Sequence, residues 1–164
     1  VNVQVPWELT GQSQTSLTGT LNNQTGAAQA VGLAAFAPAI FSQNAEGSGQ
    51  GAILDTSYRL VDSSNPATAG NSVVLIYCTG LGAVTNQPPT GSPALSNPLS
   101  QSTTPTVMIG GVPADVLFSG LAPGYVGLYQ VNAQVPAGAA TGPAAPVVIS
   151  IGGVESNTVT MAVQ

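Results

Sequence analysis

The residue types that carry most enzyme chemistry are scarce in this chain of 164 residues. It contains no histidine, Arg59 is its only cation, and Cys78 is its only cysteine. A serine or threonine nucleophile needs a neighbouring general base, which is usually histidine or lysine. The composition therefore excludes a Ser-His-Asp site, and it also excludes isopeptide cross-links, which require lysine. We expect no catalytic residue of this kind.

The acidic residues are scattered along the sequence, at Glu8, Glu46, Asp55, Asp62, Asp115 and Glu155. A glycosidase needs two carboxyl groups that flank the scissile bond, and here only folding could bring such a pair together. The alternative is that the acids lie in turns and on edge strands, where they aid solubility. The spacing favours this alternative, and we predict that the protein is not an enzyme.

Metal and phosphate sites have little support in the sequence. Zinc needs Cys and His ligands, and the only loop that could begin a calcium site runs from Asp62 to Asn65, with Asp55 nearby. Residues 46–51 imitate a glycine-rich phosphate loop, but no helical pattern follows them and no lysine is available. We expect a hairpin tip there. Cys78 has apolar neighbours in a predicted strand and is expected in the core, so we predict no metal and no cofactor.

Charge is nearly absent from the chain. Charged residues make up 4% of it and the net charge is −5, against about 25% charged residues in a typical soluble domain. Binding of nucleic acid or of anionic membranes needs clustered Lys and Arg, so neither partner is expected. The longest apolar run, residues 30–41, falls short of the roughly 20 residues that cross a bilayer. A neutral surface favours association between copies of the chain.

Alternation with period two and frequent turn residues predict an all-β sandwich. No window shows the apolar spacing of an amphipathic helix. We predict strands near residues 1–5, 15–21, 27–36, 51–54, 57–61, 72–78, 105–109, 114–118, 127–135, 146–151 and 157–163. Pairs such as Asn22-Asn23, Gly110-Gly111 and Gly152-Gly153 separate these runs and are typical of tight turns.

The chain also repeats part of itself. Residues 1–6, Val-Asn-Val-Gln-Val-Pro, return as residues 131–136, Val-Asn-Ala-Gln-Val-Pro. The alternating stretch from Leu17 to Leu21 corresponds to that from Val147 to Ile151, and Val31 and Leu33 correspond to Met161 and Val163. The second copy ends a long β-rich unit, whereas the first copy holds only closing strands. An incomplete β-unit leaves a sheet edge or an apolar cleft that another element must fill.

Several motifs from Asn65 onward resemble the IPT/TIG immunoglobulin-like domain. They are the segments Val73 to Gly82, Val107 to Ala114 and Tyr129 to Pro136. More closely, the segment from Gly120 to Asn132 is similar to a C-terminal domain of secreted acidobacterial proteins of the Solibacter type. The resemblance implies an immunoglobulin-like β-sandwich and an extracellular location, without an assigned chemistry. Cys78 departs from the pattern, which more often has a small residue such as glycine there.

These observations predict a partial β-domain at residues 1–62 and a complete immunoglobulin-like sandwich at 63–164. Residues 1–35 are expected either to pair with a hairpin at 36–62 or to be completed by a neighbouring subunit, as in β-strand addition; disorder of the first strand is a third alternative. We predict a non-enzymatic extracellular structural protein, a subunit of a fibre or stalk in which copies assemble head to tail. The residues expected to make that contact are Val1, Val3, Val5, Trp7, Leu17 and Leu21.

The alternative prediction is a carbohydrate-binding or adhesive module of a larger secreted protein. Aromatic rings stack on sugars when several lie on one face, and Trp7 and Tyr125 are the best candidates because they lie beside loops with turn residues. Packing at the seam between the two domains is the other explanation for these rings. Under this alternative, cell-surface or extracellular glycans are the expected partner. Asn23-Gln24-Thr25 matches a glycosylation sequon, and surface Ser and Thr could equally bear sugars.

Overall fold

A computed structural model describes residues 3–164. It confirms the predicted all-β sandwich: the described residues form thirteen strands and one 3₁₀ turn, Trp7–Leu9, and no α-helix. The strands are β1 (Gln14–Leu17), β2 (Thr20–Leu21), β3 (Gln24–Thr25), β4 (Gln29–Gly32), β5 (Ala39–Ile40), β6 (Ile53–Asp55), β7 (Val73–Thr79), β8 (Thr106–Ile109), β9 (Val112–Leu121), β10 (Tyr129–Gln134), β11 (Gly142–Ile151), β12 (Val154–Glu155) and β13 (Val159–Val163).

The long strand β9 connects the two layers of the sandwich. Its first residues pair with β8, and its residues from Asp115 onward pair with β10. On the β8 side the layer continues through β11 to β12 and β13. On the β10 side it continues through β7, whose far edge pairs with both β5 and β6. All these pairs are antiparallel, as expected for strands joined by short turns.

Backbone hydrogen bonds close the sandwich where the two layers meet. Thr160 in β13 donates its N–H to the carbonyl of Gly49 at 2.7 Å and accepts the N–H of Gly51 at 2.8 Å. The side chain of Asn157 accepts the N–H of Ile40 at 2.7 Å and donates to the Ile40 carbonyl at 2.9 Å. These contacts satisfy groups that an open sheet edge would leave unpaired.

One hydrophobic core extends across the predicted division at residue 62. Ile40, Ile53 and Val61 lie in the same buried cluster as Ile76 and Val131. Residues 36–62 also contribute β5 and β6 to the sheet that contains β7. Residues 36–62 therefore belong with the sandwich in packing, because their apolar side chains have no separate core to enter.

The N-terminal part of the chain forms a two-stranded structure that we call the ribbon, residues 13–33. In it β1 pairs with β4, and β2 pairs with β3 beyond them. Asn22 and Asn23 have φ values of 50° and 60°, the left-handed conformation of a tight hairpin turn. Among the described residues the ribbon strands pair only with each other. Over the described residues 3–35, the alternative in which this segment pairs with the hairpin at 36–62 is therefore wrong.

The predicted strand at residues 1–5 is also not formed in its described part, residues 3–5. The corresponding residues of the second copy, such as Ala133 and Gln134, lie between β7 and β9. No strands flank residues 3–5 in the same way. An extended segment without neighbours has no partners for its ladder hydrogen bonds, so the pattern alone does not produce a strand.

The segment that follows the ribbon is seated against the sandwich. The ring of Phe36 lies against Gly152, where an added Cβ atom would clash with the ring. Next to it, Ala37 donates its N–H to the carbonyl of Gly80 at 2.9 Å. Gly152 is thus required for this close approach, and its position in the Gly152-Gly153 turn fixes the base of the ribbon on the sandwich.

The ribbon is a structural copy of the hairpin formed by β11, β12 and β13. With a constant offset of 130 positions, Leu17 pairs with Gln29 as Val147 pairs with Val159. The hairpin ends match as well, because the N–H of Gly26 bonds to the Gly19 carbonyl as that of Ser156 bonds to the Ile149 carbonyl. The two hairpins therefore share one register and differ in what covers them.

This equivalence predicts that truncation to alanine has very different effects on stability at two matched positions. Ile151 is 4% exposed and Leu21 is 76% exposed. We expect Ile151→Ala to lower the free energy of unfolding by about 2–5 kcal/mol, because it opens a cavity in the core. Leu21→Ala should change it by less than about 0.5 kcal/mol. Urea unfolding of dilute, monomeric protein measures both values, and an equal loss for the two variants would contradict the assignment of Leu21 to an uncovered face.

Candidate functional site

The first candidate site is the apolar face of the N-terminal segment. Side chains that are exposed there correspond, 130 positions later, to side chains that are buried. The exposed fractions are 68% for Val3, 54% for Val5, 51% for Leu17, 76% for Leu21 and 36% for Val31, against 0% for Ala133, Val135, Val147 and Met161 and 4% for Ile151. The sequence pattern of a buried hairpin face is therefore present in a hairpin that nothing in residues 3–164 covers.

Most of the residues predicted for assembly lie on this face. Val3, Val5, Leu17 and Leu21 are exposed, and Val1 lies outside the described residues. On the ribbon itself, Thr15 and Leu17 share one face with Gln29 and Val31, since directly paired residues point to the same side. The role of these residues in assembly stays a prediction.

Trp7 is different, because it packs against the core of the sandwich. Its backbone N–H donates to Thr90 Oγ1 at 3.1 Å, and Thr90 in turn donates to the Glu8 carboxylate at 2.7 Å. The hydrogen bond from Thr90 lowers the pKa of Glu8. Within residues 3–164 the buried indole N–H of Trp7 finds no acceptor. The structure thus places Trp7 in the packing role that the sequence left as the alternative to glycan contact.

The second candidate site is a cleft of about 810 Å³ on the outer surface of the β6–β7–β10–β9 sheet. We call it the tyrosine cleft, because three tyrosines line it together with aliphatic side chains. Its lining includes Leu54, Tyr58, Tyr77, Leu99, Phe118, Tyr125, Leu128, Gln130 and Asn132. The structure therefore brings Tyr125 together with Tyr58 and Tyr77, while Trp7 does not line this cleft.

Strand register explains the floor of the tyrosine cleft. Leu54 pairs with Leu75, Leu75 with Asn132, and Asn132 with Phe118, so these four residues form one row across the sheet. In the centre, Gln130 Nε2 donates to Asn132 Oδ1 at 2.8 Å. Burial raises the pKa of Tyr77, and the neighbouring Tyr58 and Tyr125 hydroxyls raise it further. The floor is thus apolar and uncharged, with one amide pair at its middle.

Tyr58 is held at the rim of the cleft by a turn built around Asp55. The Asp55 carboxylate accepts the backbone N–H groups of Ser57 at 2.8 Å and of Arg59 at 3.0 Å, and the Asn65 amide at 3.0 Å. Its ion pair with the Arg59 guanidinium is 2.8 Å long. These donors, the Arg59 N–H first, hold the pKa of Asp55 far below its usual range. Tyr58 has a φ of 60°, a backbone conformation that a non-glycine residue adopts only where its surroundings enforce it.

The other two loops that the sequence raised as candidates, at Asp62 and at residues 46–51, form local turn structure. Asp62 accepts the Ser64 hydroxyl at 2.7 Å and the Ser64 N–H at 2.8 Å, and these bonds lower the pKa of Asp62. Among residues 3–164, no cluster of three cysteine or acidic side chains could hold a metal ion. In segment 46–51 the expected hairpin is confirmed, because Gln43 donates its N–H to the Gln50 carbonyl at 2.8 Å.

Cys78 is a core residue, as predicted. It is 0% exposed, and burial raises the pKa of its thiol to about 12. The thiolate, which is the reactive form of cysteine, is therefore both inaccessible and disfavoured.

Sequence reasoning missed the tyrosine cleft, although one signal for it exists. Residues 73–78 in β7 form a continuous apolar run, Val-Val-Leu-Ile-Tyr-Cys. An antiparallel strand with one face in water alternates apolar and polar residues, whereas a continuous run is typical of a strand covered on both faces. Leu75, on the outer side, is indeed only 6% exposed.

Comparisons with known proteins add no further assignment, because no family model, curated protein or solved structure matches the chain. The fold and the two candidate sites therefore define the class: an all-β sandwich that carries an external ribbon and an outward apolar cleft. Over residues 3–164, no helix has the length and apolarity needed to cross a membrane. The immunoglobulin-like assignment stays a prediction.

Burial of Cys78 predicts that its thiol resists modification in the folded protein. We expect a thiol reagent such as Ellman's reagent to give no measurable reaction at pH 8 under native conditions, and one thiol per chain in urea. The absorbance of the thiolate released from the reagent measures the number of reactive thiols per chain. Fast reaction of the native protein would show that β7 opens readily at Cys78.

The Asp55 turn predicts a specific dependence of stability on pH. The pKa of Asp55 in the folded protein lies below its unfolded value of about 3.9. The carboxylate therefore stabilises the fold above that pH, and this contribution is lost as the pH falls through the folded pKa. We expect Asp55→Asn to have a lower melting temperature than the parent at pH 7. Below pH 4 this difference in melting temperature should become smaller. Asp115→Asn, at an exposed position of β9, is the matched control. If the difference in melting temperature between Asp55→Asn and the parent stayed the same at low pH, the assignment would be contradicted.

Proposed function

We propose that the protein is a non-enzymatic structural building block whose copies assemble head to tail into an extracellular fibre or stalk. The observation that carries this proposal is the uncovered apolar face of the ribbon. Its counterpart in β11 and β13 is fully buried, with Val147 and Met161 at 0% exposure. A face built to this pattern is expected to be covered by another element, and a neighbouring subunit can supply it.

The edges of the ribbon support the same conclusion. A two-stranded hairpin alone is marginally stable in water. Natural edge strands are protected from pairing by lysine, proline or inward-pointing charge. The sequence has no charged residue between Glu8 and Glu46, and the ribbon contains no proline. The ribbon therefore lacks the devices that keep an exposed hairpin from associating.

Because the surface carries little charge, the desolvation cost of such association is low. Each chain carries only seven formally charged side chains, Arg59 and six acids. A contact between copies of this chain desolvates few charges, and this avoids the main cost of burying polar surfaces. The absence of His and Lys supports a structural role rather than catalysis. The extracellular location rests on the resemblance to secreted domains.

A second candidate function is carbohydrate binding, and the tyrosine cleft is the observation that favours it. Tyr58 and Tyr125 are 70% and 58% exposed at its rim, and aromatic rings with polar tips suit ligands that are apolar on one side and hydrated on the other. The two functions are separable by experiment. A binding module stays monomeric and binds glycans, whereas a fibre subunit assembles without any ligand.

Self-assembly should therefore depend on the ribbon and hardly on salt. We expect sedimentation velocity to show association that is the same at low and high ionic strength, because few charges are present to be screened. Leu17→Lys should weaken association at least about tenfold, since the contact would bury an unpaired charge.

Leu117→Lys is the matched control for this experiment. Leu117 is 59% exposed, against 51% for Leu17, but it lies on β9 outside both candidate sites. The control should associate like the parent. A parent protein that remains a monomer at high concentration in both salts would refute the proposed function.

A further inference from the structure

We propose that the ribbon of one copy lies in the tyrosine cleft of the next copy. This inference rests on the proposed function and names the two surfaces that meet. It makes the ribbon the head of each subunit and the cleft its tail. The evidence is the double-sided apolar character of the sheet, the absence of charge on both surfaces, and the relation between the ribbon and the hairpin β11–β13.

The sheet under the cleft has the composition of a sheet that is covered on both sides. Its inner face contributes Ile76 and Val131 to the core, both 0% exposed. Its outer face presents Leu54, Tyr77 and Phe118 to the cleft. Since a water-facing sheet surface normally carries polar residues, this outer surface is suited to a further layer of protein.

The lining of the cleft favours a protein partner over a sugar. Three leucines contribute to it beside the tyrosines: Leu54 from β6, and Leu99 and Leu128 from loops. Aliphatic side chains match the Leu17, Leu21 and Val31 face of the ribbon but offer little to hydroxyl groups. Among the residues that the structure describes, no charged side chain lines the cleft, and the ribbon sequence contains none. The two surfaces can therefore meet without burying an unpaired charge.

The hairpin of β11 and β13, which is the structural copy of the ribbon, shows how such a hairpin packs against a sheet. In the sandwich, the hairpin of β11 and β13 places Val147 and Met161 in the core that the β7 and β10 layer also lines. A ribbon from a second copy, which has the same register, would cover the opposite face of that layer. The β7 and β10 layer would then lie between two related hairpins, at the spacing of about 10 Å that packed sheets adopt.

The amide pair at the centre of the cleft fits the polar side chains on the same ribbon face. Gln130 Nε2 donates to Asn132 Oδ1, which leaves Gln130 Oε1 as an acceptor and Asn132 Nδ2 as a donor. Thr15 and Gln29 lie on the ribbon face that carries Leu17 and Val31, and their hydroxyl and amide groups can satisfy both.

This contact is heterologous, because the ribbon and the cleft are different surfaces of the same chain. A heterologous contact whose rotation does not close produces an open filament. Pairing of two ribbons with each other would instead be self-complementary and would stop at a dimer. It would also leave the cleft uncovered. The presence of two distinct apolar surfaces thus favours the head-to-tail arrangement.

A mixing experiment tests the inference with full-length protein. The head variant carries Leu17→Glu and Leu21→Glu, and the tail variant carries Tyr125→Glu. All the new charges are negative, so the altered ribbon and the altered cleft cannot attract each other. Circular dichroism confirms that each variant is folded, and Leu117→Glu is the control that should assemble like the parent.

We expect each variant alone to be monomeric and an equimolar mixture to form a one-to-one dimer that grows no further. The intact cleft of the head variant would hold the intact ribbon of the tail variant, and both remaining surfaces would be blocked. Native mass spectrometry and sedimentation velocity measure the species. A tail variant that assembles like the parent would overturn the inference and leave the proposed function standing, and so would two monomeric variants that fail to form a dimer when mixed.

A monomeric parent would instead refute the proposed function itself. If that monomer also bound neutral oligosaccharides, and lost them on Tyr125→Glu but not on Leu17→Glu, the cleft would be a glycan site and the inference would be overturned. The experiments therefore distinguish a protein that assembles through other surfaces from a protein that does not assemble at all.

Discussion

A β-hairpin with one apolar face has to bury that face, and this requirement governs the structure at both ends of the chain. At the C-terminal end the hairpin of β11 and β13 meets it by closing the sandwich, where Val147, Ile149 and Met161 are fully buried. At the N-terminal end the ribbon repeats the same register without a layer to close. The hydrophobic effect contributes about 25 cal/mol for each Å² of apolar surface removed from water, so the uncovered face is a source of association energy.

Local patterns in the sequence were sufficient to predict the fold class. Period-two alternation marked the longer strands, and glycine and asparagine pairs marked the turns between them. The assignment of residues 36–62 could not be predicted, because β5 and β6 have two and three residues and show almost no pattern. Their place in the sandwich is decided by pairing with β7, and by the two hydrogen bonds between Ile40 and Asn157, which lie 117 positions apart. Contacts of this range leave no local signal.

The two candidate sites differed in how far the sequence predicted them. The repeat identified Leu17 and Leu21 as counterparts of core positions, and so it pointed to the ribbon directly. The tyrosine cleft depends on Tyr58, Tyr77 and Tyr125, whose proximity follows from the pairing of β7 with β6 and β10. For Trp7 the sequence left glycan contact and packing open for a similar reason, since its anchor, Thr90, lies 83 positions away.

The close likeness of the two hairpins places a requirement on folding, because the ribbon shares the register of the hairpin that closes the sandwich and precedes it in the chain. The sequence has to disfavour the ribbon in that place. Two substitutions decide the outcome: Gly19 stands where the C-terminal hairpin has Ile149, and Gln29 stands where it has Val159. Ile149 and Val159 are completely buried, so the ribbon in their place would leave a cavity and bury an amide. The sequence thus encodes which hairpin is retained inside and which is released to the surface.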